Sequence, residues 1–147
     1  MSVTRTSSVA FAADPAASTV SSSALARWTA RAMYWLAVAF LTMDAVMKVL
    51  RVPAAVEGTT QLGYASYLIV PLGAIELIFL VLYLVPRTAI LGAVLWTGFL
   101  GGAVATHVRL GNPWATHVLS PIYVAVLLWG ALWLRDRRLR HVLAPTR

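Results

Sequence analysis

The sequence predicts an all-α membrane protein, a bundle of four transmembrane helices with the N and C termini in the cytoplasm. Of the 147 residues, 60% are hydrophobic and only 12% are charged, a balance that suits a chain surrounded by lipid. Four apolar stretches have the length that crosses a bilayer, about 20 residues. Inside them lie Asp44, Lys48, Glu76 and His107. Because a charge in hydrocarbon costs about 3 kcal/mol, these residues predict a polar interior.

The predicted helices cover about 28–50, 67–85, 88–109 and 118–134, within one four-helix transmembrane domain at 27–136. Residues 1–26 are rich in Ser and Ala and lack the apolar core of a secretory signal, so we expect a disordered tail. Residues 137–147 are expected to form a basic cytoplasmic tail.

The distribution of basic residues predicts the orientation. With these helices, nine basic residues fall on one side of the membrane and three on the other. Since Lys and Arg concentrate in cytoplasmic segments, the side with nine is expected to face the cytoplasm. The expected location is the cytoplasmic (inner) membrane. The group of nine comprises Arg5, Arg27, Arg31, Arg87, Arg135, Arg137, Arg138, Arg140 and Arg147, and the group of three Lys48, Arg51 and Arg109.

Two connections differ in length. Only Pro86 and Arg87 separate the second and third helices, which predicts an antiparallel hairpin. The connection at 51–66 is the longest and lies on the outer side. It is either a functional ordered loop or a plain linker.

The ionisable residues of the first two helices allow two interpretations each. Asp44 and Lys48 lie four residues apart, on one helix face. They form either a self-contained ion pair or one wall of a cavity. Both alternatives predict that this face of the helix points into the bundle. Glu76, which shares its face with Gly73 and Tyr83, has no partner on its own helix. It either forms a hydrogen bond that stabilises the contact with a neighbouring helix, or acts as a proton carrier or substrate ligand.

The third helix carries small residues at spacings of three and four, which permit close approach of another helix. Arg109 continues this stripe and either snorkels to the interface or receives an anionic group. His107 and His117 flank the short outer loop and could join Glu57 in a metal site, but the spacing matches no zinc motif and we expect no metal. The stripe comprises Gly98, Gly101, Gly102, Ala105 and Thr106.

Several classes of function are excluded or disfavoured. The chain has no cysteine, which excludes thiolate catalysis and predicts no iron–sulfur or Cys-zinc site. Haem is not expected either, because both candidate histidines lie near one membrane boundary. The net charge of +7 sits at the ends of the helices, and no nucleic-acid readout motif is present, so we expect no nucleic-acid partner.

A series of motifs is similar to the DoxX-like family of small four-helix membrane proteins. The first motifs are Phe40-Leu41-x-x-Asp44-Ala45-x-x-Lys48, Leu62-Gly63-Tyr64, Gly73-x-Ile75-Glu76 and Leu82-Tyr83-Leu84-x-Pro86-Arg87-Thr88. The most specific is Thr97-Gly98-Phe99-Leu100-Gly101-Gly102-Ala103-x-Ala105-Thr106-His107-x-Arg109, followed by Pro121 and Leu128-Trp129-Gly130. The resemblance implies a four-helix fold in the cytoplasmic membrane. The family name derives from a subunit of a thiosulfate:quinone oxidoreductase.

The leading hypothesis is an accessory or catalytic subunit of a membrane oxidoreductase system that handles a quinone-like lipophile or its protons. Glu76, Asp44, Lys48 and His107 are its candidate catalytic residues, and Arg109, Tyr83, Glu57 and His117 its candidate ligand-binding residues. The alternative is a chaperone-like assembly protein without catalysis, bound through the small-residue stripe to a membrane protein partner or to a second copy. A small solute or proton transporter ranks third, because no inverted repeat is present.

Overall fold

The computed structural model describes residues 15–136 and Leu139, is 85% helical, and contains no strand in this part of the chain. Four helical segments are long and apolar enough to cross a membrane: Ala24–Val49, Ser66–Leu84, Ala89–Arg109 and Trp114–Arg135. The predicted four-helix membrane fold is therefore confirmed. The helices are α1 (Pro15–Val49), α2 (Pro53–Gln61), α3 (Ile69–Leu84), α4 (Ala89–Arg109) and α5 (Ser120–Arg135), with a 3-10 turn at Ser66–Leu68 and a wide π turn at Trp114–Val118.

Two segments differ from the sequence-based expectation. Helix α1 begins at Pro15, inside the segment expected to be a disordered tail. Once the apolar part of a helix is formed, adding Ala and Ser to its end costs little, because the nucleus already exists. The connection at 51–66 also contains a helix, α2, which starts at Pro53, a residue suited to the first turn. The remaining tail residues, 1–14 and most of 137–147, lie outside the described residues.

The four long helices form a closed ring in which each packs against two others. Helix α1 contacts α3 and α5, and α4 contacts the same two helices, so α1 and α4 lie on opposite sides of the bundle. The fully buried side chains of Leu41, Tyr83, Trp96 and Leu128 fill the space between them. Large apolar side chains such as Ile78 and Val126 remain exposed on the outside, as lipid-facing residues do.

Two glycines allow a close approach of the backbones of neighbouring helices. A Cβ on Gly73 of α3 would lie 2.9 Å from the carbonyl oxygen of Ala45 and 2.9 Å from the Cβ of Lys48, both on α1. Gly92 of α4 lies against the backbone of Tyr83 in the hairpin of α3 and α4. Because Gly73 lies within three residues of Glu76, this approach brings Glu76 to α1.

Side chains of α4 hold the connection at 51–66 against the bundle. Arg109 donates a hydrogen bond from Nη2 to the carbonyl oxygen of Leu62, at 3.2 Å. The hydroxyl groups of Tyr64 and Thr106 lie 3.0 Å apart and form a second hydrogen bond. Gly63 lies between these two attachments with φ of +86°, a conformation that favours glycine. Helix α2 is thus tied to α4 immediately after its last turn.

Candidate functional site

The site begins with an ionic cluster that joins α1 to α3. Lys48 donates hydrogen bonds from Nζ to Oδ2 of Asp44, at 2.7 Å, and to Oε1 of Glu76. The pairing of Asp44 with Lys48 follows from their spacing on α1. Glu76 comes from α3, where it lies on the buried face with Gly73, Leu80 and Tyr83. Lys48 is therefore shared between two carboxylates on two helices.

The three members of the ionic cluster differ in exposure. The side chain of Glu76 is 0% exposed, that of Lys48 is 15% exposed and that of Asp44 is 39% exposed. The second carboxylate oxygen of Glu76, Oε2, is buried and has no hydrogen-bond partner among the described residues. The cluster thus runs from an accessible carboxylate, through an ammonium, to a carboxylate in the interior.

Asp44 and Lys48 form part of the wall of a cavity of about 540 Å³. Residues of α1, α2, α4 and α5 line this cavity, together with the loop and the π turn that join α4 to α5. Much of its wall is apolar, including Phe40, Phe99 and Leu100. The Nζ of Lys48 lies 5.7 Å from the centroid of the Phe99 ring, a distance at which the ring face attracts a cation.

Two histidines line the same cavity, near the loop that joins α4 to α5. The ring centroids of His107 and His117 are 5.6 Å apart in an edge-to-face arrangement. The side-chain amide of Asn112 bonds to Nδ1 of His107 at 2.9 Å, and the hydroxyl of Thr116 bonds to Nδ1 of His117 at 2.8 Å. These bonds orient both rings. Each bond uses Nδ1, so neither of them involves Nε2 of the ring. Within residues 15–136, no group of three or more His, Cys, Asp or Glu side chains could hold a metal ion.

Three residues that the sequence suggested as ligand-binding do not line the cavity. Tyr83 is buried and donates its hydroxyl proton to the carbonyl oxygen of Leu128, at 3.0 Å. Glu57 is exposed on α2 and accepts a hydrogen bond from the amide of Gln61. Arg109 holds the outer connection, as described above. Sharing a helix face or a membrane side was too coarse a criterion, because the cavity takes up only one sector of the bundle.

The small-residue stripe of α4 faces outward over most of its length. Gly98, Gly101, Gly102 and Ala105 are exposed, and no atom lies within 4 Å of a Cβ built on any of the three glycines. Thr106 is the exception, because it is buried and bonds to Tyr64. The stripe therefore makes no close helix–helix contact within the described chain, and its open face is available to another molecule.

Sequence reasoning missed the aromatic wall of the cavity. For Phe40 a signal was present, because it precedes Asp44 by four residues, as Asp44 precedes Lys48, and this spacing puts all three on one face of α1. Trp96 and Phe99 come from α4, and their rings pack edge to face at 5.6 Å. No comparable signal placed them beside Lys48, because this depends on how α4 is rotated within the ring of helices.

Comparison with known proteins agrees with this architecture. The model of the DoxX-like family matches residues 32–131, a stretch that includes the ionic cluster, α2 and both histidines. Searches of curated proteins and of solved structures returned no significant match. The matched residues take up well over half of the chain and cover all of α2, α3 and α4, so this multi-pass membrane protein belongs to the DoxX-like family.

Proposed function

We propose that this protein is an accessory or catalytic subunit of a membrane oxidoreductase system, and that its cavity receives the head of a quinone-like lipophile. The observation that carries the proposal is the position of Lys48, which lines a largely apolar cavity while it bonds to two carboxylates. An ammonium group in such a wall can hydrogen-bond to a carbonyl oxygen of a bound head group.

The cavity has the size and composition of a small-molecule site. Such sites range from about 300 to 1,000 Å³ and combine apolar walls with a few oriented polar groups. Here Phe40, Phe99 and Leu100 supply apolar surface, and the polar groups are the ionic cluster and the two histidines. An amphipathic ring compound dissolved in the bilayer fits this division better than a hydrophilic metabolite does.

The ionic cluster suits the proton part of quinone chemistry. Reduction of a quinone to a hydroquinone takes up two electrons and two protons. Lys48 can deliver a proton to a carbonyl oxygen, and the carboxylates of Asp44 and Glu76 can pass replacements to Lys48, because both bond to its Nζ. The chain contains no cysteine, so no thiol pair of its own supplies the electrons, and we assign that step to a redox partner protein. The proposal includes location in the cytoplasmic membrane, with both termini inside.

The first experiment measures thermal unfolding of the purified protein with decylubiquinone or duroquinone. Both compounds should raise the melting temperature, because a ligand that binds only the folded state stabilises it. Glu76→Gln should keep this protection, since Glu76 does not line the cavity, but should reduce quinone-linked respiration of membranes. Glu57→Gln is the matched control and should change neither. If no quinone protects the protein and Glu76→Gln leaves respiration unchanged, the proposal is wrong.

The open face of α4 favours a second candidate function, assembly of a membrane complex without catalysis. Gly98 and Gly102 lie one turn apart with free space above both, as helix–helix contacts in membranes require. In this case Gly98→Leu and Gly102→Leu should abolish recovery of a membrane protein that co-purifies with the wild type, whereas Glu76→Gln should not. Recovery of the same partner with the leucine variants would contradict this candidate.

A further inference from the structure

We infer that the same cavity binds lipophilic organic cations, with the carboxylate of Asp44 as counter-ion and the rings of Phe40 and Phe99 as apolar walls. This inference does not depend on the quinone proposal. It concerns a second class of ligand, in which the positive charge, rather than a carbonyl oxygen, is recognised.

The first argument is the charge of the ionic cluster. Two carboxylates, Asp44 and Glu76, share one ammonium, Lys48. With all three groups ionised, the cluster carries one uncompensated negative charge within membrane-spanning helices, where such a charge is costly. The buried Oε2 of Glu76 also has no hydrogen-bond partner within the described part of the chain. A proton or a cation must therefore complete the cluster.

The second argument is access, because the two carboxylates are not equally available. Glu76 is fully buried behind Lys48, whereas Asp44 is 39% exposed and lines the cavity. Among the described residues that line the cavity, the other titratable side chains are His107 and His117, and no arginine is present. A cation in the cavity thus meets Asp44 without passing another permanently charged group besides Lys48.

The third argument is the aromatic wall. The face of Phe99 already lies 5.7 Å from the Nζ of Lys48, and Phe40, which is 47% exposed, precedes Asp44 by one helical turn. Aromatic faces attract cations most strongly when the cation is weakly hydrated. A bulky cation with its charge shielded by apolar groups gains from both features, whereas a small metal ion would have to give up tightly held water.

Binding of such a cation should displace the proton that otherwise completes the cluster. The groups that face the ligand are Asp44 and Lys48 on α1, His107 on α4 and His117 on the π turn, with Glu76 of α3 behind Lys48. When a cation arrives next to Asp44, the shared proton leaves to the solvent. Release of up to one proton should therefore accompany the binding of each cation, and the number released should fall as the pH rises.

The test uses tetraphenylphosphonium and its neutral relative triphenylphosphine oxide with the full chain in an uncharged detergent. Isothermal titration should show binding of the phosphonium at least about tenfold tighter than that of the oxide, and a pH dye in weak buffer should report the released proton. Asp44→Asn should lose this preference for the cation, and Glu57→Gln, an exposed acid outside the cavity, should keep it.

Equal binding of the two compounds by the wild type overturns the inference, and this comparison needs no variant to fold. Retained cation preference in a folded Asp44→Asn protein, checked by its thermal transition, or binding without proton release also overturns it. Quinone protection is measured separately. A protein that is stabilised by quinones but does not bind the phosphonium would refute this inference alone. A protein that binds the phosphonium, is not stabilised by any quinone and keeps its respiration in the Glu76→Gln variant would refute the quinone proposal alone.

Discussion

Lys48 neutralises the buried carboxylate of Glu76 and thereby permits that residue to exist inside the bundle. Its ammonium also bonds to Asp44, so one residue links two helices and one wall of the cavity. A buried ion pair of this kind gains little over an apolar pair, but loss of one partner leaves an unpaired charge, which is far more costly.

At this scale we predict that Lys48→Met lowers the free energy of unfolding by about 3 kcal/mol, because Glu76 loses the hydrogen bond and the positive charge of Lys48. The double variant Lys48→Met/Glu76→Met should recover most of this loss, since it removes the second charge as well. Reversible unfolding in mixed micelles measures both values. A double variant no more stable than Lys48→Met would show that the ion pair does not account for the effect.

Part of the ionic cluster could be predicted from the sequence, and the rest could not. The pairing of Asp44 with Lys48 follows from four residues of helix, whatever the tertiary structure. The bond from Lys48 to Glu76 depends on the rotation of α3 about its axis and on the distance between α3 and α1. Gly73 sets this distance through its close contact with α1. Neither quantity is encoded in a local pattern. The sequence therefore left two interpretations of Glu76 open, and the structure gives it a partner on α1.

Among the helices, the contact of α1 with α3 depends on Gly73. We predict that Gly73→Ala destabilises the protein by about 1 to 3 kcal/mol, because the added Cβ would lie 2.9 Å from a backbone oxygen and from the Cβ of Lys48. Gly98→Ala in α4 is the matched control. Its Cβ meets open space, so this variant should be neutral or slightly stabilising in thermal unfolding. Equal effects of the two variants would contradict the packing described here.

Helix α2 owes its position to contacts just beyond its end, and one of them is suited to a test. Arg109→Gln removes the charged donor that bonds to the carbonyl oxygen of Leu62. We expect faster amide hydrogen exchange in 53–61 and little change in α3, because local opening follows the loss of local contacts. Unchanged exchange in α2 would show that the Tyr64–Thr106 bond holds the segment without Arg109.

For the molecule as a whole, the four spanning helices were predictable because a helix in lipid must be apolar over the thickness of the bilayer. This requirement produces long apolar stretches bounded by basic residues, a strong sequence pattern. The short helix α2 gave a weaker signal, since Gly58 and two threonines interrupt its apolar pattern. The meeting of His107 with His117 also required the structure, because the π turn at Trp114–Val118 determines where the second ring lies. The aromatic wall arises from two helices, α1 and α4, that lie on opposite sides of the bundle. It belongs to the assembled ring rather than to any single segment.

We propose above all that the cavity opens to the outer side of the membrane, leads to the ionic cluster and takes a quinone-like head group. Because the chain has no cysteine, single cysteines report this directly when a membrane-impermeant thiol reagent is added to right-side-out vesicles. Ala103 lines the cavity, Ala131 is 0% exposed in the core, and Ala115 is exposed on the π turn. Ala103→Cys should react from the outside and be protected by decylubiquinone, Ala115→Cys should react with or without quinone, and Ala131→Cys should not react. An Ala103→Cys protein that is labelled only in inverted vesicles, or equally fast with and without quinone, would contradict the account.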